Sequence, residues 1–192
     1  MKLVCETAVL REAINIVQKA VSTRSTSPIL GGILLEATEN LKLTANDMDI
    51  AIACQIDADV VQMGAIVLDH KIFSEIVRSL PEQHVTIFVN NDLNTIITSG
   101  LSEFKIMGMH VDEFPELPEV LKQQGIQLSQ MSLKTMIKQT LFATSTNENR
   151  LILTGSCFEI GDGFIKIISV DGFRLAFRKE VIPYKDKPLK FV

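Results

Sequence analysis

Apolar residues recur with a helical period in three segments, and turn residues divide the rest of the chain into short apolar strands. A helix is predicted over 7–22 with Thr7 as its N-cap, a second over 70–80 capped by Asp69, and a third over 132–145. Strands are predicted at 2–5, 29–37, 41–46, 50–58, 65–68, 85–89, 95–99, 103–109, 126–128, 151–160, 163–170 and 174–180. This alternation of helices with antiparallel meanders predicts an α+β fold, with the helices on one face of the sheets.

The second part of the chain repeats the first. Residues 28–36 read PILGGILLE and residues 151–159 read LILTGSCFE, an offset of 123 positions. The matched pairs are Leu10 with Leu133, Arg11 with Lys134, Ile14 with Ile137, Leu30 with Leu153, Gly32 with Gly155, Glu36 with Glu159 and, after one extra residue, Lys42 with Lys166 and Asp47 with Asp171. A repeat longer than the roughly 20–50 residues of a solenoid unit indicates a duplicated domain.

The boundary between the copies is predicted in the segment DEFPELPEVLKQQG, residues 112–125, which carries two prolines, acidic residues and a terminal glycine. We therefore expect a first domain over 1–118, a linker over 119–125, and the first half of a second domain over 126–192. The second copy stops unfinished at Val192, which suggests that only part of a larger ring or array is present.

Composition places the chain among globular proteins and narrows its class. The 192 residues are 46% hydrophobic, without an apolar run of the roughly 20 residues that a membrane span needs. The N-terminus lacks the apolar core of a signal peptide, so a cytoplasmic location without membrane contact is expected. Cys5, Cys54 and Cys157 are widely spaced in strand-like contexts, which favours buried reduced thiols over a disulfide or a metal site. The net charge of −4 argues against general nucleic-acid binding, unless the positive charge is concentrated on one surface.

Positive and small polar side chains share one face on each predicted helix. They are Arg11, Asn15, Gln18 and Ser22 with Lys19 beside them on the first helix, Lys71, Ser74 and Arg78 on the second, and Lys134 and Lys138 on the third. Such a face is either simply solvated or suited to sequence-independent contact with phosphates. The recurrence on three helices keeps the second interpretation open.

Three motifs, TRSTSPIL, DEFPELP and SVDGFRLAFRK, occur in order on these duplicated units, and with them the whole chain resembles the bacterial sliding-clamp family, the DNA polymerase III beta subunits. The resemblance implies a DNA-clamp fold in which three such domains form a crescent and two crescents close head to tail into a homodimeric ring. Helices would line the hole around double-stranded DNA, without base-specific contacts. The third domain would be absent here, so we expect this chain alone not to close the ring and to bind DNA weakly.

The resemblance also implies three groups of site residues. DNA contact falls on Arg24, Arg11, Lys19, Lys134, Lys138, Asn147 and Arg150. A groove for short peptide motifs of the polymerase and the clamp-loader subunits falls on Leu153, Val170, Gly172, Phe173, Arg174 and Leu175. The dimer interface falls on the edge strand 103–109 and the second helix, with Phe104 and Ile76 as apolar anchors. For Arg24 and the groove leucines, a solvated loop charge and ordinary core packing remain the alternatives.

No motif indicates an enzyme, a metal site or a bound cofactor. The sequence contains no P-loop, dinucleotide fingerprint, nucleophile elbow or zinc-protease helix, and His70, His84 and His110 are isolated. The run Asn46-Asp47-Met48-Asp49 lacks the glycine and distal glutamate of a calcium loop, so it is interpreted as a structural turn. The expected role is a processivity factor, an accessory subunit of a DNA-directed DNA polymerase. The alternative is a peptide-binding regulatory domain that has no role on DNA.

Overall fold

The computed structural model describes residues 1–22, 27–117 and 125–192. It divides into two compact units, Met1–Pro118 and Glu119–Val192, called unit 1 and unit 2 below. Within the described residues, no helix is both long and apolar enough to cross a membrane.

The described part of unit 1 contains two α-helices and two antiparallel sheets. Its helices are α1 (Thr7–Val17) and α2 (His70–Ser79), and its strands are β1 (Lys2–Glu6), β2 (Gly32–Ala37), β3 (Leu41–Asn46), β4 (Ala51–Ile56), β5 (Asp59–Gln62), β6 (Gly64–Asp69), β7 (His84–Val89), β8 (Asn94–Ser99) and β9 (Ser102–Met107). The strand orders are β5-β1-β7-β8-β9 and β4-β3-β2-β6. Each sheet therefore gathers strands that lie close together along the chain, apart from the pairings of β1 with β5 and β7 and of β2 with β6.

The core of unit 1 lies between the helices and the inner faces of the sheets. On α1, residues at helical spacing are buried, among them Leu10, Ile14 and Val17. Across from them, Leu41 and Leu43 alternate along β3 with outward-facing residues. One apolar helix stripe thus covers one apolar sheet face, as the period-3.6 and period-2 patterns predict.

Over residues 125–192, unit 2 contains one α-helix, one four-stranded antiparallel sheet and a smaller core. The helix α3 spans Gln130–Thr140, and the strands are β10 (Cys157–Gly161), β11 (Phe164–Val170), β12 (Leu175–Val181) and β13 (Leu189–Phe191) in the order β12-β11-β10-β13. Met136 of α3 clusters with Ile165 and Ile167 of β11. The inner face of this sheet is therefore the one that carries Ile165 and Ile167.

The sequence repeat is also a structural repeat. Glu36 and Lys42 are register partners on β2 and β3, and their side chains form an ion pair at 2.8 Å. Glu159 and Lys166 are register partners on β10 and β11, with an ion pair at 2.5 Å. Because the same two residues meet across the same two strands, the offset read from the sequence corresponds to equivalent positions in the fold.

Several predicted element boundaries were wrong. The strands expected from positions 29 and 151 begin later, at Gly32 and Cys157, after 3-10 helices at Pro28–Gly31 and Glu148–Leu153. No strand forms at 126–128, and the short strands β5 and β13 were not predicted. Helix α3 ends at Thr140, before the predicted 145, and a 3-10 turn follows it.

The two predicted helix caps had different outcomes. Asp69 caps α2 as predicted, since its carboxylate accepts hydrogen bonds from the backbone N–H groups of Lys71 and Ile72, both at 3.0 Å. Thr7 is not a cap: it is the buried first residue of α1, and Glu6 occupies the N-cap position without a side-chain bond. Helix α1 itself ends at Val17 and tightens into a 3-10 turn.

The three cysteines are free thiols, as predicted, although only one is fully buried. Burial raises the pKa of the Cys5 thiol to about 12, so it is a neutral core side chain. Cys54 and Cys157 are half-buried. Among the described residues, no group of three or more potential ligands is placed to hold a metal ion.

Candidate nucleic-acid and peptide interfaces

Arg11 is the one basic side chain of α1, and it lies against α2. The guanidinium donates a hydrogen bond to the backbone oxygen of Val77 at 3.4 Å, in the last turn of α2. A cation at a helix C-terminus is favoured by the helix dipole. Its Nε is buried and has no hydrogen-bond partner among the described residues. Arg11 thus helps to hold the two helices together and is only half-exposed.

The remaining polar stripe of α1 meets α2 at a second point. The side-chain oxygen of Asn15 accepts hydrogen bonds from Gln18 at 3.1 Å and from Arg78 of α2 at 3.5 Å. Lys19 is exposed in the 3-10 turn that follows α1. The structure therefore brings Asn15, Gln18 and Arg78 together on a surface that both helices share.

The basic face predicted for α2 is narrower than expected. Lys71 and Arg78 are exposed, but Ser74, placed on the same face, is 5% exposed. Its hydroxyl donates to the backbone oxygen of Lys71 at 3.0 Å. Ser74 is thus a core-facing helix residue, and the exposed cations of α2 lie near the two ends of the helix.

Helix α3 presents its two lysines to solvent. Lys134 and Lys138 are both exposed, four residues apart, and α3 contains no acidic residue. The inner side of the helix is occupied by Met136 and by the hydroxyl of Ser132, which donates to the carboxylate of Glu180. Lys134 and Lys138 therefore form an uncompensated positive strip on α3.

Asn147 and Arg150 lie at the 3-10 helix after α3. The side-chain oxygen of Asn147 accepts a hydrogen bond from the backbone N–H of Asn149 at 3.0 Å, so this side chain caps the helix. Arg150 is exposed. Arg24 was also predicted to contact DNA, and it lies outside the described residues.

The groove predicted to bind peptides lies at a turn between β11 and β12. Val170, Leu175 and the Asp171–Arg174 turn are called the peptide corner below. One oxygen of Asp171 accepts hydrogen bonds from the backbone N–H groups of Phe173 at 2.9 Å and Arg174 at 3.0 Å, and the other accepts from Arg174 Nε at 2.8 Å. These bonds, the backbone ones first, lower the pKa of the Asp171 carboxyl. Gly172 has a φ of 95°, in the left-handed region that favours glycine. Asp171 therefore stays ionised and shapes the turn.

The equivalent turn of unit 1 has the same construction. Asp47 accepts from the backbone N–H groups of Asp49 at 3.0 Å and Ile50 at 2.7 Å, and Met48 has a φ of 80°. Both copies are thus aspartate-stabilised turns, and Asp47 is a turn residue, as predicted for the run Asn46-Asp47-Met48-Asp49.

Val170 and Leu175 are neighbours at this corner. They are register partners on β11 and β12, and Leu175 is 62% exposed. Phe173 is fully exposed at the tip of the turn, and the guanidinium of Arg174 lies 5.8 Å from the ring centroid of Phe142. Leu153 is half-buried at the end of its 3-10 helix. The structure thus places the exposed Leu175 and the half-buried Val170 beside the turn that Asp171 stabilises.

Three apolar residues near this corner were missed. Ile168 and Phe177 are register partners two positions further along β11 and β12, and Phe177 is 64% exposed. The signal was present in the sequence, because Leu175 and Phe177 alternate with other residues and so share one face of a strand. Phe142 was missed because it follows α3 in a 3-10 turn that was predicted to be regular helix.

The predicted dimer anchors have different surroundings. Ile76 is 8% exposed and belongs to the core of unit 1, so it is not available as a surface anchor. Phe104 is half-buried on the edge strand β9 and packs against the same core. Its neighbours Glu103 and Lys105 point outward and form an ion pair at 3.3 Å.

The histidines are not brought together. Nδ1 of His70 lies 2.7 Å from the backbone oxygen of Gly31, at the start of α2. His84 and His110 are exposed at a strand start and after a strand end. Their separate positions agree with the isolation of the three histidines in the sequence.

Comparison with known proteins decides the family. Residues 1–118 match the model of the DNA polymerase III beta subunit N-terminal domain, and residues 127–190 match that of its central domain. The chain belongs to the DNA polymerase III beta subunit family. The beta sliding clamp of Halalkalibacterium halodurans is 42% identical over an alignment that covers all of this chain and 53% of that protein. That of Bacillus subtilis is 41% identical over 93% of this chain and 50% of that protein.

Solved structures of the family have the same fold. The crystal structure of the DNA polymerase sliding clamp from Bacillus subtilis matches 99% of this chain and 53% of that chain, with a TM-score of 0.95 and 38% sequence identity. The beta subunit from Streptococcus pyogenes matches 99% of this chain and 52% of that chain, with a TM-score of 0.93 at 28% identity. The chain therefore has the DNA-clamp α+β fold that the resemblance implied, and it spans about half the length of the family members it matches.

Proposed function

We propose that this chain acts as part of a DNA polymerase processivity factor, a sliding clamp that encircles duplex DNA and tethers the polymerase. The match of both units to consecutive domains of the beta subunit family carries this proposal. The relatives that match the chain are named beta sliding clamps, which does not favour a regulatory domain without a role on DNA. The protein would be an accessory subunit without catalytic residues, and its function requires no cofactor.

The proposed DNA-facing surface is a set of exposed cations. Lys19, Lys134, Lys138 and Arg150 are exposed, and they contact phosphates in this proposal. Arg24 is included by resemblance alone. Arg11 is assigned a structural role in place of DNA contact, because its guanidinium donates a hydrogen bond to Val77 between the two helices. Such sparse cationic contacts suit a protein that slides, since phosphate contacts carry no sequence information.

The test is the salt dependence of duplex binding by the chain and by Lys134→Glu/Lys138→Glu. We expect the double substitution to weaken binding to a short duplex of mixed sequence. It should also reduce the slope of log K against log salt by about 1 for each phosphate that these lysines neutralise. Lys105→Glu is the control, because it makes the same kind of charge change on β9. Equal binding by the double variant and the control would remove α3 from the DNA surface.

The proposed partner site is the corner formed by Val170, Leu175 and the Asp171–Arg174 turn. An extended peptide with leucine and phenylalanine side chains would cover apolar area that is exposed on this rigid support. Leu153 would contribute from its 3-10 helix. The polymerase and clamp-loader subunits are the partners we propose for this corner.

A labelled peptide of the Gln-x-x-Leu-Phe type tests this site by fluorescence anisotropy. Leu175→Ala is expected to reduce its affinity about tenfold, which corresponds to roughly 1.4 kcal/mol less burial of apolar surface. Val181→Ala is the matched control, because Val181 is an exposed apolar residue on the same strand. Unchanged affinity for Leu175→Ala would exclude this corner as the binding site.

For a protein with the full length of the family members that this chain matches, we propose a head-to-tail homodimer that uses the edge strand β9. Phe104 remains a proposed contributor, since β9 is the last strand of its sheet and is half-exposed. Sedimentation of the longer protein with Phe104→Asp measures this directly, and we expect the dimer to dissociate. An undiminished dimer would place the interface elsewhere.

A further inference from the structure

The apolar surface at the corner of unit 2 continues along the sheet. The Val170–Leu175 pair is followed by a second cross-strand pair, Ile168 and Phe177, on the same outer face. This face lies opposite the buried Ile167, which belongs to the core cluster under α3. Phe177 and Leu175 are each more than 60% exposed, so the two rows form one exposed apolar strip along β12.

Unit 1 has a different surface at the equivalent positions. The register partners there are Thr44 with Ala53 and Asn46 with Ala51. Thr44 and Asn46 are buried, while Ala53 and Ala51 are exposed, so the same strands, turn and Glu–Lys ion pair are formed with alanines at the exposed outer positions. Large apolar side chains are not required by the scaffold, and their exposure in unit 2 indicates a binding surface.

A positively charged row borders the apolar strip. Lys190, Glu159, Lys166 and Lys179 lie side by side across the four strands of the sheet. Glu159 accepts from Lys166 at 2.5 Å and from Lys190 at 2.7 Å, so one carboxylate serves two lysines. The row holds three lysines and one glutamate, so its net charge is positive.

Lys179 is the lysine of this row that is open to a partner. Its Nζ lies 4.2 Å from the ring centroid of Phe164, and no carboxylate forms an ion pair with it among the described residues. Lys179 is exposed and follows Phe177 on the same face of β12. An acidic group placed near the ring of Phe164 would therefore meet a cation without displacing an existing ion pair.

We propose that unit 2 selects extended peptides in which two apolar residues are followed, at the same alternating spacing, by an acidic residue. The apolar side chains cover the Val170–Leu175 and Ile168–Phe177 rows, and the acidic side chain pairs with Lys179. Successive rows are two residues apart on the strand, about 6.6 Å, which is also the spacing of alternate side chains in an extended peptide. This inference rests on the proposed peptide-binding function and adds a second apolar position and a charge preference to it.

Two pairs of labelled synthetic peptides test the proposal with the whole chain. One pair has the order apolar-x-apolar-x-acidic and the other the reverse, and within each pair the acidic residue is glutamate or glutamine. For one of the two orders, the glutamate peptide should bind about threefold more tightly than the glutamine peptide, the effect of an exposed ion pair. Lys179→Gln should remove that preference, and Lys185→Gln, a charge-matched substitution elsewhere in unit 2, should keep it.

Phe177→Ala tests the second apolar row. It should weaken both peptides of the preferred order about tenfold, and higher salt should reduce the glutamate preference alone. Equal binding of glutamate and glutamine peptides in both orders overturns the proposal, even if Leu175→Ala still weakens binding and so supports the peptide corner itself. Binding of no peptide overturns both. Self-association that Phe177→Ala abolishes, without an effect on peptides, would assign the strip to a second copy of the chain and overturn the peptide preference.

Discussion

The outer sheet faces of the two units differ while their inner faces are alike. Leu43 in unit 1 and its equivalent Ile167 in unit 2 are fully buried under a helix. One position further along the same strands, Thr44 pairs with Ala53, whereas Ile168 pairs with Phe177. Duplication therefore kept the side that forms the core, and the units diverged on the opposite side, where Ala53 and Phe177 are exposed and Thr44 is buried. Burial constrains the inner residues, while the exposed outer residues of β4 and β12 are limited mainly by strand propensity.

The largest expected effects lie on the shared inner face. Leu43→Ala and Ile167→Ala each remove a buried aliphatic side chain, and each should lower the free energy of unfolding of its unit by about 2–5 kcal/mol. Tyr184, the single tyrosine of a chain without tryptophan, lies in unit 2, so its fluorescence follows that unit while circular dichroism follows both. Gln55→Ala, at an exposed position of the neighbouring strand β4, is the control for Leu43→Ala. A loss below about 1 kcal/mol at either core position would mean that the two inner faces are not equivalent.

The turns give a smaller contrast. Gly172 and Met48 both have φ in the left-handed region, and a Cβ added at Gly172 would meet nothing within 4 Å. Gly172→Ala should therefore destabilise unit 2 by about 1 kcal/mol through backbone strain alone. Met48→Gly should change the stability of unit 1 by less than about 0.5 kcal/mol, because relief of strain offsets the entropy of the added glycine.

Urea unfolding followed by tyrosine fluorescence and by circular dichroism measures the stabilities of the Gly172→Ala and Met48→Gly variants. Gly163→Ala is a useful second substitution in unit 2, since Gly163 has a φ of 77° and equally open space around it. A neutral Gly172→Ala would show that the left-handed conformation of this turn is not needed.

The sequence predicted what depends on local periodicity and on the repeat. The equivalence of Glu36 with Glu159 and of Lys42 with Lys166, the turn at Asp47 and the capped start of α2 follow from neighbours within a few residues or from the offset. The residues at which helices and strands begin were harder to predict. Leu151 and Ile152 belong to an apolar run that suggested a strand, but Asn147 caps a 3-10 helix there and both side chains remain exposed.

The exposure of the candidate site residues was predicted correctly where it depends on local spacing, and wrongly where it depends on contacts distant in sequence. Side-chain spacing identified Lys134 and Lys138 as exposed, because they lie on the same helix. It could not show that Arg11 would donate to Val77, 66 residues away, or that Ile76 would be buried by strands distant in sequence. Phe177 was visible as an alternating apolar position, but its exposure depends on which sheet face α3 covers.

The smallest expected effect concerns the ion pairs that both units share. Hydrogen bonds from Lys166 and then Lys190 lower the pKa of the Glu159 carboxyl from 4.5 to about 2. In the unfolded chain the carboxyl has its ordinary pKa, so protons bind the unfolded state more readily. The stabilisation from Glu159 is therefore complete above about pH 4.5 and is lost as the pH falls towards 2. Glu36 in unit 1 has one lysine partner where Glu159 has two.

Glu159→Gln should make the stability of unit 2 less dependent on pH between about 4.5 and 2, a window set by the Glu159 pKa values. Tyrosine fluorescence during urea unfolding at several pH values measures the difference in slope, with Glu36→Gln as the matched control in unit 1. Some acid sensitivity should remain in the variant, because the backbone N–H groups of Phe173 and Arg174 also lower the pKa of Asp171. If the wild type and Glu159→Gln lose stability in parallel, the two-lysine arrangement does not distinguish unit 2 from unit 1 in solution. The charged row beside Phe177 would then attract an acidic partner without contributing to the stability of the fold.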